Sequence, residues 1–209
     1  YVVNWHGDGA EIRAHPSSTA ASSPDNNRKN EEKFFEEGVT YSYLTSAVFS
    51  ARISPGGFIF DVAGSTVFPE SADIELILAV LNSRFAAYAL KLMNPTVNFQ
   101  VGDLSRLPVP RDSSRRTRQL MQKAVTLAKV DATWAEDTFD FVAPPPWSSS
   151  LDGSSIVRAG LCESEELVNE EIYALYDIGD LGRAAIEAEL AGEPLPTDEG
   201  EIEAILSDD

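Results

Sequence analysis

The chain has 209 residues, 43% of them hydrophobic, enough apolar material to bury one or two cores. Its single cysteine, Cys162, excludes an internal disulfide framework and a cysteine-rich zinc site. No run approaches the roughly 18 consecutive apolar residues that a membrane-spanning helix needs, and a formal net charge of −18 speaks, taken as a whole, against a nucleic-acid partner.

The charge is unevenly divided, however. Residues 1–130 carry 14 Lys/Arg and 13 Asp/Glu, net +1, whereas residues 131–209 carry 2 and 21, net −19. Such asymmetry tells more than the total: only the first part can lie along phosphates without strong repulsion. The chain opens on Tyr1 with neither a methionine nor a basic-then-apolar leader, which suggests a piece of a longer or processed protein that is not secreted. A soluble, cytoplasmic protein without a membrane partner is expected.

In chain order, residues 14–30 are rich in Ser, Ala, Asn and Pro, lack an apolar period and read as a long surface loop. Phe49–Ser54, the Pro55-Gly56-Gly57 turn and Phe58–Val62 read as a hairpin of two strands, with Gly57 supplying a positive φ. Ile74, Ile77, Leu78, Leu81, Phe85 and Leu92 recur at three- and four-residue spacing, predicting one long helix over Ala72–Met93. Asn94-Pro95 must stop it, because the residue before a proline avoids the helical region. Val97–Val101 and Leu107-Pro108-Val109-Pro110 read as extended.

A second helix is predicted from about Ser113 to Trp134. At 100° per residue, Leu120, Ala124, Leu127 and Trp134 share one side, and Arg115, Arg118, Gln122 and Lys129 lie nearly opposite. Ala143–Ser150 has linker composition. Short acidic helices follow, the best formed running from Glu163 to Tyr176 with Val168, Ile172, Leu175 and Tyr176 on one face. The expected fold is α+β: a small, mostly antiparallel sheet packed by a long amphipathic helix, then a spacer-like helix and a small acidic helical appendage. The expected division is a recognition domain with spacer helix over 1–141, a Pro/Ser linker over 142–153 and an acidic helical region over 154–209.

Several segments, in this order and spacing, resemble a known family. They are residues 30–42 (NEEKFFEEGVTYS), 52–61 (RISPGGFIFD), Leu81-Asn82-Ser83, 94–104 (NPTVNFQVGDL), 107–110 (LPVP), 134–141 (WAEDTFDF) and the closing 165–176 (EELVNEEIYALY). Together they are similar to the C-terminal region of the BREX-type adenine-specific DNA methyltransferases, the PglX family, which are similar in turn to the single-chain type IIG restriction-modification enzymes. The resemblance covers nearly all of residues 1–141. It implies a target-recognition domain that reads double-stranded DNA in phage defence. It also implies an upstream domain that binds S-adenosylmethionine and methylates N6 of a flipped adenine; no cofactor is expected in the present chain. No glycine-rich cofactor loop after a strand is found here. Asn94-Pro95-Thr96-Val97 lacks the second proline and the aromatic residue of an adenine-methyltransferase motif, and reads as a helix stop and turn.

Base edges are read by Arg, Lys, Asn and Gln, while phosphate contacts position the protein. The candidate contacts are Arg28, Lys29 and Lys33 beside the polar loop, Arg52 and Ser54 at the hairpin, Asn98 and Gln100 after the long helix, and Arg115 and Arg118 on the basic helix face. For Asn98 and Gln100 the favoured alternative is a buried polar pair satisfying nearby backbone; for the helix face it is ordinary solvation. His6 and His15 lack a supporting cluster for a metal, and Cys162 beside Glu163 would not have its thiolate favoured. No catalytic residue is expected. The second function class is a protein-interaction or autoinhibitory, DNA-mimicking module, in which the acidic region docks on another phage-defence subunit or covers the recognition face.

Overall fold

The structure, a computed structural model, describes residues 3–14, 30–45, 49–61, 63–69, 73–111, 114–144 and 150–193. The fold is α+β. Three short strands, β1 (Gly38–Tyr41), β2 (Ala51–Ser54) and β3 (Thr66–Val67), form an antiparallel sheet in the order β2-β1-β3. Seven helices accompany it among the described residues: α1 (His6–Ala14), α2 (Ile74–Leu81), α3 (Arg84–Met93), α4 (Val101–Leu104), α5 (Arg115–Ala132), α6 (Ser150–Leu175) and α7 (Asp180–Ala191).

The alternation of Gly38-Val39-Thr40-Tyr41 fixes the sheet's two faces. Val39 pairs with Ile53 and Val67, and Tyr41 with Ala51, on the face that α2 covers. Val39, Leu76, Leu90 and Ile172 are fully buried in one continuous apolar core, each contributing roughly 1.5–3 kcal/mol by leaving water.

The Phe49–Val62 hairpin does not form among the described residues. Gly57 takes φ 95°, so the turn is there, but Phe58–Asp61 does not return along β2. Instead Phe35 donates its N–H to Phe58 O at 2.9 Å, and Gly57 N–H donates to Phe35 O at 3.0 Å. Phe58 and Phe60 are drawn into aromatic contacts with Phe139, Phe34 and Phe68. Ring–ring contacts and the two backbone bonds to Phe35 take the place of the local hairpin.

Nor is the 72–93 helix continuous. Residues 71 and 72 lie outside the described residues; α2 begins at Ile74, and α2 and α3 meet at a 64° bend at Asn82-Ser83. Ser83 caps α3, its Oγ accepting from Ala86 N–H. The bend resets the phase of the apolar stripe, so Leu90 and Ala86 are buried while Leu92 is exposed. The stop at Asn94 is as the proline predicts, with Met93 the last helical residue.

Helix α5 runs as its period predicts, with Ser114 Oγ accepting from Thr117 N–H at its start. The acidic helices are longer than the sequence suggests. Rather than starting at Glu163, α6 begins at Ser150, inside the stretch of linker composition, most of which lies outside the described residues. Gly160 lets α6 approach α5 closely, because a Cβ there would meet Leu127 Cδ1 at 3.1 Å. Val168 and Ile172 enter the core, whereas Leu175 stays exposed.

Candidate nucleic-acid interface

The sheet face opposite α2 carries a cross-strand row. Arg52 pairs with Thr40, Thr40 with Thr66, and Ser54 with Gly38 in the adjacent position. Arg52 is exposed and forms no ion pair among the described residues. The threonines are already oriented: Thr40 Oγ1 donates to Ser65 O and Thr66 Oγ1 to Gly64 O, both at 3.2 Å. Their oxygen lone pairs remain free to accept. Two residues apart on one strand, Arg52 and Ser54 face the same way. A free guanidinium offers the planar fork that matches a phosphate or a guanine edge. Thr40 and Thr66 were not singled out from sequence, although the period-two pattern of 38–41 marks Thr40 as outward.

Asn98 and Gln100 lie further along the same chain neighbourhood. Asn98 forms an antiparallel bridge with Leu44, flanked by Phe99 N–H donating to Tyr43 O at 2.8 Å and Thr45 N–H to Val97 O at 3.0 Å. Thr40 and Leu44 are four residues apart, at most about 13 Å of extended chain. Both Asn98 and Gln100 are exposed, so they are not a buried polar pair. Phe99 does turn inward, 5.0 Å from Phe49, but α4 starts at Val101 and breaks the alternation, leaving Val101 exposed.

This corner is held rigidly from beneath. Asn94 Nδ2 donates to Asn98 O and to Asp103 Oδ2, each at 2.7 Å, and Thr96 Oγ1 donates to Asn94 Oδ1 at 2.6 Å. Gln100 N–H donates to Asp103 Oδ2 at 3.0 Å. The hydrogen bond from Asn94, and next that from the Gln100 backbone, hold the Asp103 carboxyl below its ordinary range. Asn94-Pro95-Thr96-Val97 is thus a structural turn.

The other candidates are less free. Lys33 Nζ is 3.0 Å from Glu36 Oε2 and sits over the Phe68 ring at 5.8 Å. Arg118 Nε lies 3.4 Å from Asp73 Oδ2, and Gln122 donates to Glu75 at 3.1 Å, which turns part of the basic helix face toward the start of α2. Arg115 is exposed and without an ion pair among the described residues. Arg28 and Lys29 lie outside the described residues. The arrangement therefore brings together Arg52 and Ser54, sets Asn98 and Gln100 beyond them, and leaves Arg115 and Arg118 on α5.

The acidic helices meet the rest of the chain through ion pairs. Arg84 binds Glu187 at 3.1 Å and also Glu166; Lys91 binds Glu189 at 2.9 Å, Arg116 binds Glu171 at 3.2 Å and Lys123 binds Glu163 at 2.8 Å. The hydrogen bond from Lys123, reinforced by its charge, lowers the pKa of Glu163. None of the seven candidate contacts among the described residues is paired with a described carboxylate of α6 or α7. Among the described residues no three His, Cys, Asp or Glu side chains converge as a metal site would require.

No protein-family model matches this chain. It is 34% identical over 144 residues to the adenine-specific methyltransferase BrxX of Escherichia coli O9:H4 (strain HS), a match covering 68% of this chain and 11% of that protein. It is 31% identical over 143 residues to the adenine-specific methyltransferase PglX of Lacticaseibacillus casei (strain Zhang), covering 68% of this chain and 12% of that protein. The match thus spans only about a ninth of the length of these curated relatives.

Proposed function

From its similarity to BrxX and PglX, which supports the BREX/PglX family and a role in such a methyltransferase, we propose that this chain is a DNA sequence-recognition module. It acts for an adenine-N6-specific, S-adenosylmethionine-dependent DNA methyltransferase in phage defence. The single observation that carries the reading is the exposed Arg52, without an ion pair among the described residues, beside Ser54 and Thr40 on the sheet face opposite α2. In this reading Arg52 and Asn98 touch base edges, and Arg115 positions the duplex through phosphate. S-adenosylmethionine belongs to another part of the methyltransferase.

The test is selection of duplexes from a random-sequence pool by the chain, followed by anisotropy titration of Arg52→Ala on the selected and a scrambled duplex at several salt concentrations. The reading expects an enriched sequence and a loss of about tenfold or more on that sequence alone, the worth of a good bidentate contact. Equal loss on both duplexes, or no enrichment, would sink it.

A second reading, an interaction or autoinhibitory module that docks on other phage-defence subunits, is supported by the ion pairs of α6 and α7 with Arg84, Lys91, Arg116 and Lys123. Glu163→Gln with Glu171→Gln distinguishes the two. Tighter DNA binding by that variant would identify the acidic helices as a brake, and unchanged binding would leave them as a structural buttress.

A further inference from the structure

Beyond the end of the sheet where Gly38 pairs with Ser54, three segments bring aromatic rings to the surface in one place. Phe35 is 40% exposed, Phe58 44% and Phe139 70%. The Phe58 and Phe139 ring centroids are 5.2 Å apart, and the Phe35 backbone exchanges two hydrogen bonds with Gly57 and Phe58. Three exposed aromatic rings gathered in one place, rather than scattered singly over the surface, mark an interaction surface.

Phe35 also adopts φ 68°, a left-handed conformation that a bulky residue rarely takes without constraint. The two backbone bonds to residues 57 and 58 hold it there, and Trp5 packs at 5.3 Å behind its ring. Strain maintained where a ring is presented to solvent points to use of that ring.

Charge says what kind of partner fits. Residues 34–37, 55–61 and 133–142, which supply the three rings, contain six carboxylates (Glu36, Glu37, Asp61, Glu136, Asp137 and Asp140) and no Lys or Arg; Lys33, just before them, pairs with Glu36 at 3.0 Å, and the other five form no ion pair among the described residues. Five of the six are exposed, Asp140 partly so. Such a rim repels phosphate. It attracts cations, and the ring faces themselves favour ammonium and guanidinium groups.

We propose that the Phe35–Phe58–Phe139 patch is a docking site for a basic, apolar segment of a protein partner. Apolar side chains of the partner cover the rings, and its Lys or Arg residues meet the surrounding carboxylates. The proposal does not rest on the DNA-recognition reading.

The test uses the 209-residue chain and three fluorescein-labelled peptides of equal length. One alternates Lys with Leu and Trp, one alternates Lys with Gly and Ser, and one alternates Glu with Leu and Trp. The first is expected to bind at least tenfold more tightly than the second, and the third not at all. Phe139→Ala, and separately Phe35→Gly, which suits the positive φ and so preserves the fold, should reduce binding of the first peptide to the level of the second. Glu136→Lys with Asp137→Lys should weaken the first peptide and flatten its salt dependence. The proposal is overturned if the ring variants bind the first peptide as tightly as the parent chain, since only diffuse charge attraction then remains. It is equally overturned if Phe139→Ala instead weakens duplex DNA binding, or dissolves a self-associated form of the chain in sedimentation.

Discussion

The side chain of Asn82 grips the backbone of Ala51 with both its polar atoms: Nδ2 donates to Ala51 O at 3.0 Å, and Oδ1 accepts from Ala51 N–H at 2.9 Å. β2 is an edge strand, and Ala51 is where its unpaired N–H and C=O point away from β1. The carboxamide therefore stands in for another strand and closes the edge. The same Nδ2 also donates to Leu78 O at 3.0 Å, ending α2. One side chain thus stops a helix and joins it to the sheet.

Asn82→Ala should consequently destabilise the chain by about 1–3 kcal/mol, the range for leaving backbone groups without partners. Asn82→Asp should not restore it, because a carboxylate keeps the acceptor but puts negative charge against Ala51 O. Urea denaturation followed by circular dichroism measures both. A change within error for Asn82→Ala would mean that water replaces the amide freely.

Gly38 in β1 allows no side chain. A Cβ there would lie 2.7 Å from Thr66 Cγ2 and 2.8 Å from Val67 O. Gly38→Ala is expected to cost about 1–3 kcal/mol as overpacking. Adding Thr66→Ser removes the methyl clash but not the one with the carbonyl, so only partial rescue is expected in the same urea-denaturation experiment.

Arg84 joins three helices. Its guanidinium bridges Glu187 and Glu166, while its own N–H donates to the buried Asn169 Oδ1 at 2.9 Å. Arg84→Met should preserve the packing of the stem and lose about 1 kcal/mol, in keeping with a partly exposed pair. Hydrogen exchange should rise in α7 more than in α2. Uniform exchange across both helices would show that the arginine contributes to global stability alone.

Asp103 gives a pH dependence with a definite sign. Its folded-state pKa is depressed, first by Asn94 and then by the Gln100 backbone N–H, so its contribution is fully present above the ordinary carboxylate range. It is lost as pH falls through the lower, folded value. Asp103→Asn should cost about 1 kcal/mol at pH 7, and the gap to the parent chain should close below about pH 4. A gap that is constant from pH 7 to pH 3 would assign the loss to packing.

Sequence alone determined the elements whose signal is local. The α+β class, the turn at Gly56-Gly57, the stop before Pro95, the course of α5 and the separation of charge all follow from periodicity, proline and glycine chemistry and counting. Each of these depends on residues within a turn or two of one another. The tertiary structure decided what depends on distant partners. Asn82 looks like any polar residue in a helical run until Ala51, 31 residues away, is placed against it. Phe58 belongs to a hairpin by local pattern, but its carbonyl is taken by the Phe35 N–H and its ring by Phe139, 23 and 81 residues away. Which cations are matched is likewise decided by distant residues: Glu163, Glu166, Glu171, Glu187 and Glu189 pair with Lys123, Arg84, Arg116 and Lys91, and leave Arg115 unmatched among the described residues. Of the proposed contacts, Arg52 was legible as a cation beside a turn. Its freedom could not be read, because whether a charge is matched depends on which carboxylates the folded chain brings within a few ångströms of it, and no local pattern encodes that.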